Sequence, residues 1–268
     1  MTTLSLFHDI RLKMIEHIVQ IDTGLHKIID LDADEQGNYI ALFNNGAIVT
    51  KEHRLQINMA FSFPFIRKLN SNKFLIVYGR TDGNNNAYMY DFSGQLIKSF
   101  LVGDGIQDII IHRNKIIATY FDEGVYGIEG PNNDGLAVFN FNGIQEFGVN
   151  SSAADLIISD CYCICKHGAD QVLLYSYTGL NIFELNLDTF KLECFEAPDN
   201  FSGASAISSI EENILLHSSY HDKRSFFLWD KKTNEVIKFG DYSPKLTGIG
   251  NGKFLSFGEK GYTIIDPL

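Results

Sequence analysis

The chain has 268 residues, 45% hydrophobic and 21% charged, which is a globular composition with enough apolar material for a sizeable core. Lys+Arg 22 against Asp+Glu 33 gives a net charge of −11, which repels phosphate backbones; with no local basic patch to offset it, no nucleic-acid partner is expected. Nothing approaches the ~20 continuous apolar residues of a membrane span, and the apolar Leu4 to Phe7 is broken by His8, Asp9 and Arg11 before it reaches signal length. The expectation is a cytoplasmic protein with no membrane partner.

The aromatic content of 13%, with 21 Phe and 12 Tyr, favours strands. The first apolar segment, Ile15 to Ile21, belongs to no repeat, and Ile10 to Ile18 also reads as an amphipathic helix. After it, pairs of apolar runs separated by polar turns recur. Ile28-Ile29 precedes Tyr39 to Leu42, Ile66 to Leu69 precedes Phe74 to Val77, and Ile109 to Ile111 precedes Ile116 to Ala118. Cys161 to Cys165 precedes Val172 to Leu174, Ile207 to Ile210 precedes Ile214 to Leu216, and Leu246 to Ile249 precedes Phe254-Leu255. Hairpins ending on an aromatic follow most of these pairs. Tyr90-Asp91-Phe92-Ser93-Gly94 leads to Phe100, Phe139-Asn140-Phe141-Asn142-Gly143 to Phe147, Leu187-Asp188-Thr189 to Phe195, and Trp229 to Asn234 to Phe239.

A period of roughly 45 residues with four short strands per repeat is the pattern of a β-propeller blade. The reading is an all-β, six-bladed β-propeller forming a single domain over 1–268. The blades run over approximately 25–63, 64–105, 106–152, 153–201, 202–245 and 246–268 plus 10–24. The last repeat stops at Tyr262 to Pro267, which matches a third strand, so the segment before Ile21 is expected to supply the missing outer strand and close the ring. Innermost strands are expected to be buried on both faces and therefore continuously apolar. Cys161, Cys163 and Cys165 alternate along one strand and are read as buried small hydrophobes on one face, too widely spaced for a disulfide between neighbours.

Loops leading into the innermost strands, and loops joining second to third strands, open on one face around the central tunnel. Three unusual segments map there: Gly103 to Asp108, Tyr120 to Gly127 continuing to Asp134, and Ser159 to Tyr162. Asp160 aligns with Asp108 one blade earlier, so carboxylates of adjacent blades are expected to converge near the tunnel mouth. The candidate ligand-binding residues are Asp104, Asp108, Tyr120, Asp122, Glu123, Tyr126, Asp160 and Tyr175, with Arg80, Tyr177 and His221 to Arg224 on the same face. Long loops on a rigid scaffold commonly carry binding. Grouped carboxylates suit a divalent cation, mutual pKa elevation for acid–base work, or attraction of a basic partner. No other cofactor is evident, and the eight histidines have no ligand-like spacing. No nucleophile elbow, zinc-protease helix, EF-hand, phosphate loop or dinucleotide fingerprint occurs. The Glu, Asn and Asp tunnel triad of calcium-dependent propeller lactonases is not matched.

Asp104-Gly105-Ile106 with Asp108, Tyr120-Phe121-Asp122-Glu123-Gly124-Val125-Tyr126-Gly127, Gly135-Leu136 and Asp160-Cys161-Tyr162 together resemble a group of uncharacterised bacterial six-bladed propeller-like proteins. The resemblance spans roughly residues 100 to 180 and implies the fold and the place of a site, with no established activity. The functional expectation is a non-catalytic binding protein whose acidic face around blades three and four holds a small ligand or a basic protein partner, a small acidic inhibitor of a basic protein being one form of the latter. The alternative is a hydrolase or lyase using tunnel-mouth carboxylates, with or without a divalent metal.

Overall fold

In a computed structural model, residues 14–22, 24–58, 62–152 and 156–267 are described. Six four-stranded antiparallel sheets follow one another around a ring. The N-terminal strand β1 is Ile15–Gln20. Blade 1 is β2 (Ile28–Ala33), β3 (Tyr39–Phe43), β4 (Ala47–Thr50) and β5 (Arg54–Gln56). Blade 2 is β6 (Pro64–Lys68), β7 (Lys73–Tyr78), β8 (Ala87–Asp91) and β9 (Leu96–Phe100). Blade 3 is β10 (Ile106–His112), β11 (Lys115–Tyr120), β12 (Leu136–Asn140) and β13 (Gln145–Gly148), with a short helix α1 (Asp122–Val125) between β11 and β12. Blade 4 is β14 (Cys161–His167), β15 (Gln171–Ser176), β16 (Asn181–Asn186) and β17 (Leu192–Glu196). Blade 5 is β18 (Ala206–Ile210), β19 (Asn213–His217), β20 (Phe226–Asp230) and β21 (Glu235–Phe239). Blade 6 is β22 (Thr247–Gly250), β23 (Lys253–Gly258) and β24 (Gly261–Asp266), completed by β1.

The closure is the one read from the truncated last repeat. β1 pairs antiparallel with β24 from Ile15↔Asp266 to Gln20↔Gly261, so this part of the chain is a strand and not a helix. The pairing covers an edge that would otherwise expose a row of unpaired amides. At the rim, the turn after the third strand is fixed by the same device in five blades, in blade 1 through Thr50, whose hydroxyl oxygen accepts Glu52 N–H. The side-chain oxygens of Asp91, Asn140, Asn186 and Asp230 accept the main-chain N–H two residues on. In blade 4 the residue that does this is Asn186, one position before the Leu187-Asp188-Thr189 that marks the hairpin in the sequence.

Burial differs from expectation in two places. The second strands, not the innermost, are the continuously buried ones, as in β7 and β15. The innermost strands mix buried and partly exposed positions, because one edge of each looks into the tunnel. The cysteines also do not share a face. A register shift between Cys161 and Cys163 places Tyr162 as an extra residue and reverses the alternation. Cys161 therefore lies in the apolar layer between blades 3 and 4, and Cys163 and Cys165 lie in the layer between blades 4 and 5. All four thiols are free. No helix among the described residues is long and apolar enough to cross a membrane.

Candidate tunnel-mouth site

The long excursion of blade 3 is tied together by the side chains of its asparagines. Asn132 Nδ2 donates to the Gly124 and Ile128 carbonyls at 2.7 and 2.8 Å, and its Oδ1 accepts Asp104 N–H at 3.2 Å. Asn133 ties Gly130 N–H to the Val125 carbonyl, both at 2.8 Å. The lead-in to β10 runs against α1 so closely that a Cβ on Gly105, whose φ is +65°, would lie 2.4 Å from Gly124 Cα. Glycine is required at 105 by both conformation and contact.

The expected site residues divide into three groups. In the first, Asp104 and Glu123 are bridged by Arg80, at 3.0 Å from Asp104 Oδ1 and 2.8 Å from Glu123 Oε2. Asp104 also accepts Thr81 N–H at 2.7 Å, so this group clasps blade 2 to the blade 3 excursion. In the second, the Asp160 carboxyl before β14 meets the main-chain N–H and the charge of Asp122 in blade 3. Burial chiefly, and then the Asp122 charge, hold the Asp160 carboxyl above the ordinary carboxylate range. In the third, Asp108 stands deeper, at the tunnel wall. Tyr120 and Tyr175 are fully buried core residues: the Tyr120 hydroxyl donates to the Val102 carbonyl at 2.5 Å, and burial pushes Tyr175 up to about 12. Tyr126 is 71% exposed on the excursion.

The alignment of Asp160 with Asp108 does not hold. Asp108 follows a register shift in β10, and the residue that follows the same shift in β14 is Cys163, whereas Asp160 lies before the strand. The shift also occurs in blade 1, where it precedes Asp30. Such bulges re-aim side chains: Asp30 and Asp108 turn to the tunnel, whereas the Cys163 thiol meets the Ala204 carbonyl in the layer between blades 4 and 5.

Between Asp30 and Asp108 lies Arg67 of blade 2. Its Nη1 is 2.9 Å from Asp30 Oδ2 and its Nη2 is 2.9 Å from Asp108 Oδ1, with side-chain exposures of 9%, 13% and 16% for Arg67, Asp30 and Asp108. Nη1 also donates to the Ile66 carbonyl at 2.7 Å, and Nε donates to the Ile109 carbonyl. Asp30 Oδ2 further accepts Ile66 N–H at 2.6 Å. Burial is the largest influence on Asp30 and leaves its carboxyl above the ordinary range, although Arg67 and the Ile66 N–H pull it down. Burial opposes the Arg67 cation too, but Asp30 and Asp108 hold it firmly charged. Neither Asp30 nor Arg67 was among the expected residues. Their signal was a charge inside an otherwise apolar innermost strand, a placement that folded chains tolerate only when it is paired.

Arg67, Asp30 and Asp108 form the floor of a cavity of about 290 Å³ at the upper mouth, walled by Phe65, Tyr162 and Phe257, with Lys245 at the exposed rim. Below them the tunnel narrows to about 50 Å³ and reopens as a lower cavity of about 280 Å³ near His112 and Asn251. Tyr162 links the upper cavity to the face. Its ring centroid lies 5.8 Å from Tyr177 and 6.1 Å from Tyr220, both edge-on, and its hydroxyl meets that of Tyr220. Among the described residues no three His, Cys, Asp or Glu side chains gather as a metal site.

No protein-family model matches the sequence, and no curated protein matches it. Solved structures are similar in fold. A virginiamycin B lyase from Staphylococcus aureus aligns with a TM-score of 0.54 at 9% identity, over 95% of this chain and 99% of that one. The extracellular domain of a putative hybrid two-component system from B. thetaiotaomicron aligns with 0.57 at 13% identity, over 90% and 34%. Kluyveromyces lactis Hsv2 aligns with 0.55 at 12% identity, over 87% and 72%. At these identities the likeness is one of fold: the chain is a six-bladed propeller of four-stranded blades, similar to a lyase and to a two-component-system extracellular domain alike.

Proposed function

We propose that this propeller is a non-catalytic binding protein that takes a small ligand at the upper mouth of its tunnel, beside the acidic loops of blades 3 and 4. The observation that carries the reading is the cavity of about 290 Å³ whose polar floor is already fixed by ion pairs. A preformed concave site with aromatic walls and a few placed polar groups is the usual form of a small-molecule site. Its groups need little ordering when ligand arrives. The volume suits a small metabolite.

Against catalysis, the carboxylates best placed for proton transfer are both engaged by Arg67. One observation favours the hydrolase or lyase alternative: Asp30 borders the cavity, and burial raises its carboxyl, the direction a general acid requires. The lyase fold likeness adds nothing to it at 9% identity.

The test is a thermal-shift screen of small metabolites and divalent cations on the wild-type protein and on Thr247→Trp, which places an indole at the cavity wall. Ligands that stabilise the wild type and not the variant are expected. Equal stabilisation of both would overturn the location. Conversion of a bound compound, followed by NMR over hours and lost in Asp30→Asn, would replace binding by catalysis.

A further inference from the structure

We infer that the ligand of the upper cavity is a small organic cation bearing an ammonium group next to an apolar body. This rests on the binding reading above and assigns its chemistry. The floor of the cavity is unbalanced in charge: Asp30 and Asp108 share the single cation Arg67, whereas in the waist just below Asp32 is matched by Lys166. A buried group left with net negative charge is costly and is relieved by a cation brought into the same desolvated space. Lys245 does not supply that relief, because it stands at the exposed rim, where water screens it. Lys166 lines the waist and the lower cavity, on the far side of Arg67 from the mouth.

The floor also keeps acceptors in reserve. Every hydrogen bond to the Asp30 carboxylate ends on Oδ2, and every one to Asp108 ends on Oδ1. Asp30 Oδ1 and Asp108 Oδ2 are thus acceptors without a protein donor among the described residues. Arg67, by contrast, has most of its donors committed to Asp30, Asp108 and the Ile66 and Ile109 carbonyls, so it has little to offer an anion. The walls complete the match. Phe257 and Tyr162 offer apolar and π surface around the same space, and Phe65, whose ring centroid already lies 5.4 Å from the Arg67 guanidinium carbon, adds apolar surface; aromatic faces attract alkylammonium groups.

Isothermal titration with three matched probes, benzylamine, benzyl alcohol and benzoate, tests this at fixed ionic strength, with Mg²⁺ and Ca²⁺ as further arms. Benzylamine is expected to bind at least about tenfold more tightly than either isostere, and Asp108→Asn to remove most of that preference while circular dichroism shows the fold retained. Thr247→Trp is expected to abolish benzylamine binding. Alcohol or benzoate binding as tightly as the amine would overturn the cation inference and leave the tunnel reading standing. Binding of a metal ion without the amine would overturn it as well. Amine binding unchanged in Thr247→Trp would place the cation on the outer acidic surface and overturn both. Absence of binding by all probes, with tunnel ligands found in the thermal-shift screen, would overturn the inference alone.

Discussion

Removing Arg67 while keeping its volume, as Arg67→Met, leaves two carboxylates facing each other in a desolvated tunnel. The Arg67 side chain is 9% exposed, and its guanidinium bonds to Asp30, Asp108 and two main-chain carbonyls. Breaking a buried ion pair from one side costs about 3–5 kcal/mol. An unfolding entropy of about 2.1 cal/mol/K per residue over 268 residues converts that to a fall in Tm of roughly 5–9 °C. The sign of the pH dependence is a second signature. Burial raises Asp30, so the folded state binds its proton more tightly than the unfolded chain, and ionisation costs stability as pH rises from about 4. Without Arg67 that cost grows, so the deficit of Arg67→Met should shrink as pH falls from 7 to 4. The triple variant Arg67→Met/Asp30→Asn/Asp108→Asn should regain part of the loss, because neutral amides do not repel. Denaturant unfolding at pH 4 and pH 7 measures all of this. A deficit below about 1 kcal/mol, or a triple variant no more stable than Arg67→Met, would refute the view of the three residues as one electrostatic unit.

His217 is 2% exposed, and its Nε2 lies 2.9 Å from the Tyr242 carbonyl. Burial lowers its pKa, as it does for His112 and His167, so stability should fall as pH drops below about 6.5, where the unfolded chain takes up the proton first; His217→Gln should reduce the slope there, and the other two histidines keep the remainder. Deleting the chain through Gln20 strips β24 of its partner from Ile15↔Asp266 onward, and size-exclusion chromatography should show aggregation or loss of the monomer peak. Retention of a cooperative, monomeric fold would contradict the closure. Cys161, Cys163 and Cys165 are buried, and burial raises their thiols, whereas Cys194 is only partly buried. A disulfide reagent should therefore titrate no more than one thiol before denaturation and all four after it.

The fold was legible because repetition is a long-range signal: apolar pairs, Asx turns and terminal aromatics recur even where single strands are ambiguous. The closing strand was legible by subtraction, since the last repeat lacked a fourth strand and an apolar segment stood unused. Bulges were not legible. Tyr162 reads as one more member of an alternating strand, and only pairing shows it to be an insertion that sends Cys161 and Cys163 to opposite layers. The same limit misplaced Asp160 against Asp108. Of the site, the acidic loops and Asp108 were visible as departures from the repeat, but the other two residues of the cavity floor were not, because Asp30 and Arg67 interrupt apolar strands in blades that otherwise obey the pattern. Looking for opposite charges at innermost-strand positions of neighbouring blades would have found them.

A crystal structure of the protein with a stabilising ligand tests the central claim most directly. The ligand should occupy the upper cavity, against Phe65 and Phe257, with a donor on Asp30 Oδ1 or Asp108 Oδ2 and the Arg67 ion pairs intact. A ligand seated instead on the exposed excursion around Tyr126, with the tunnel unchanged, would contradict it.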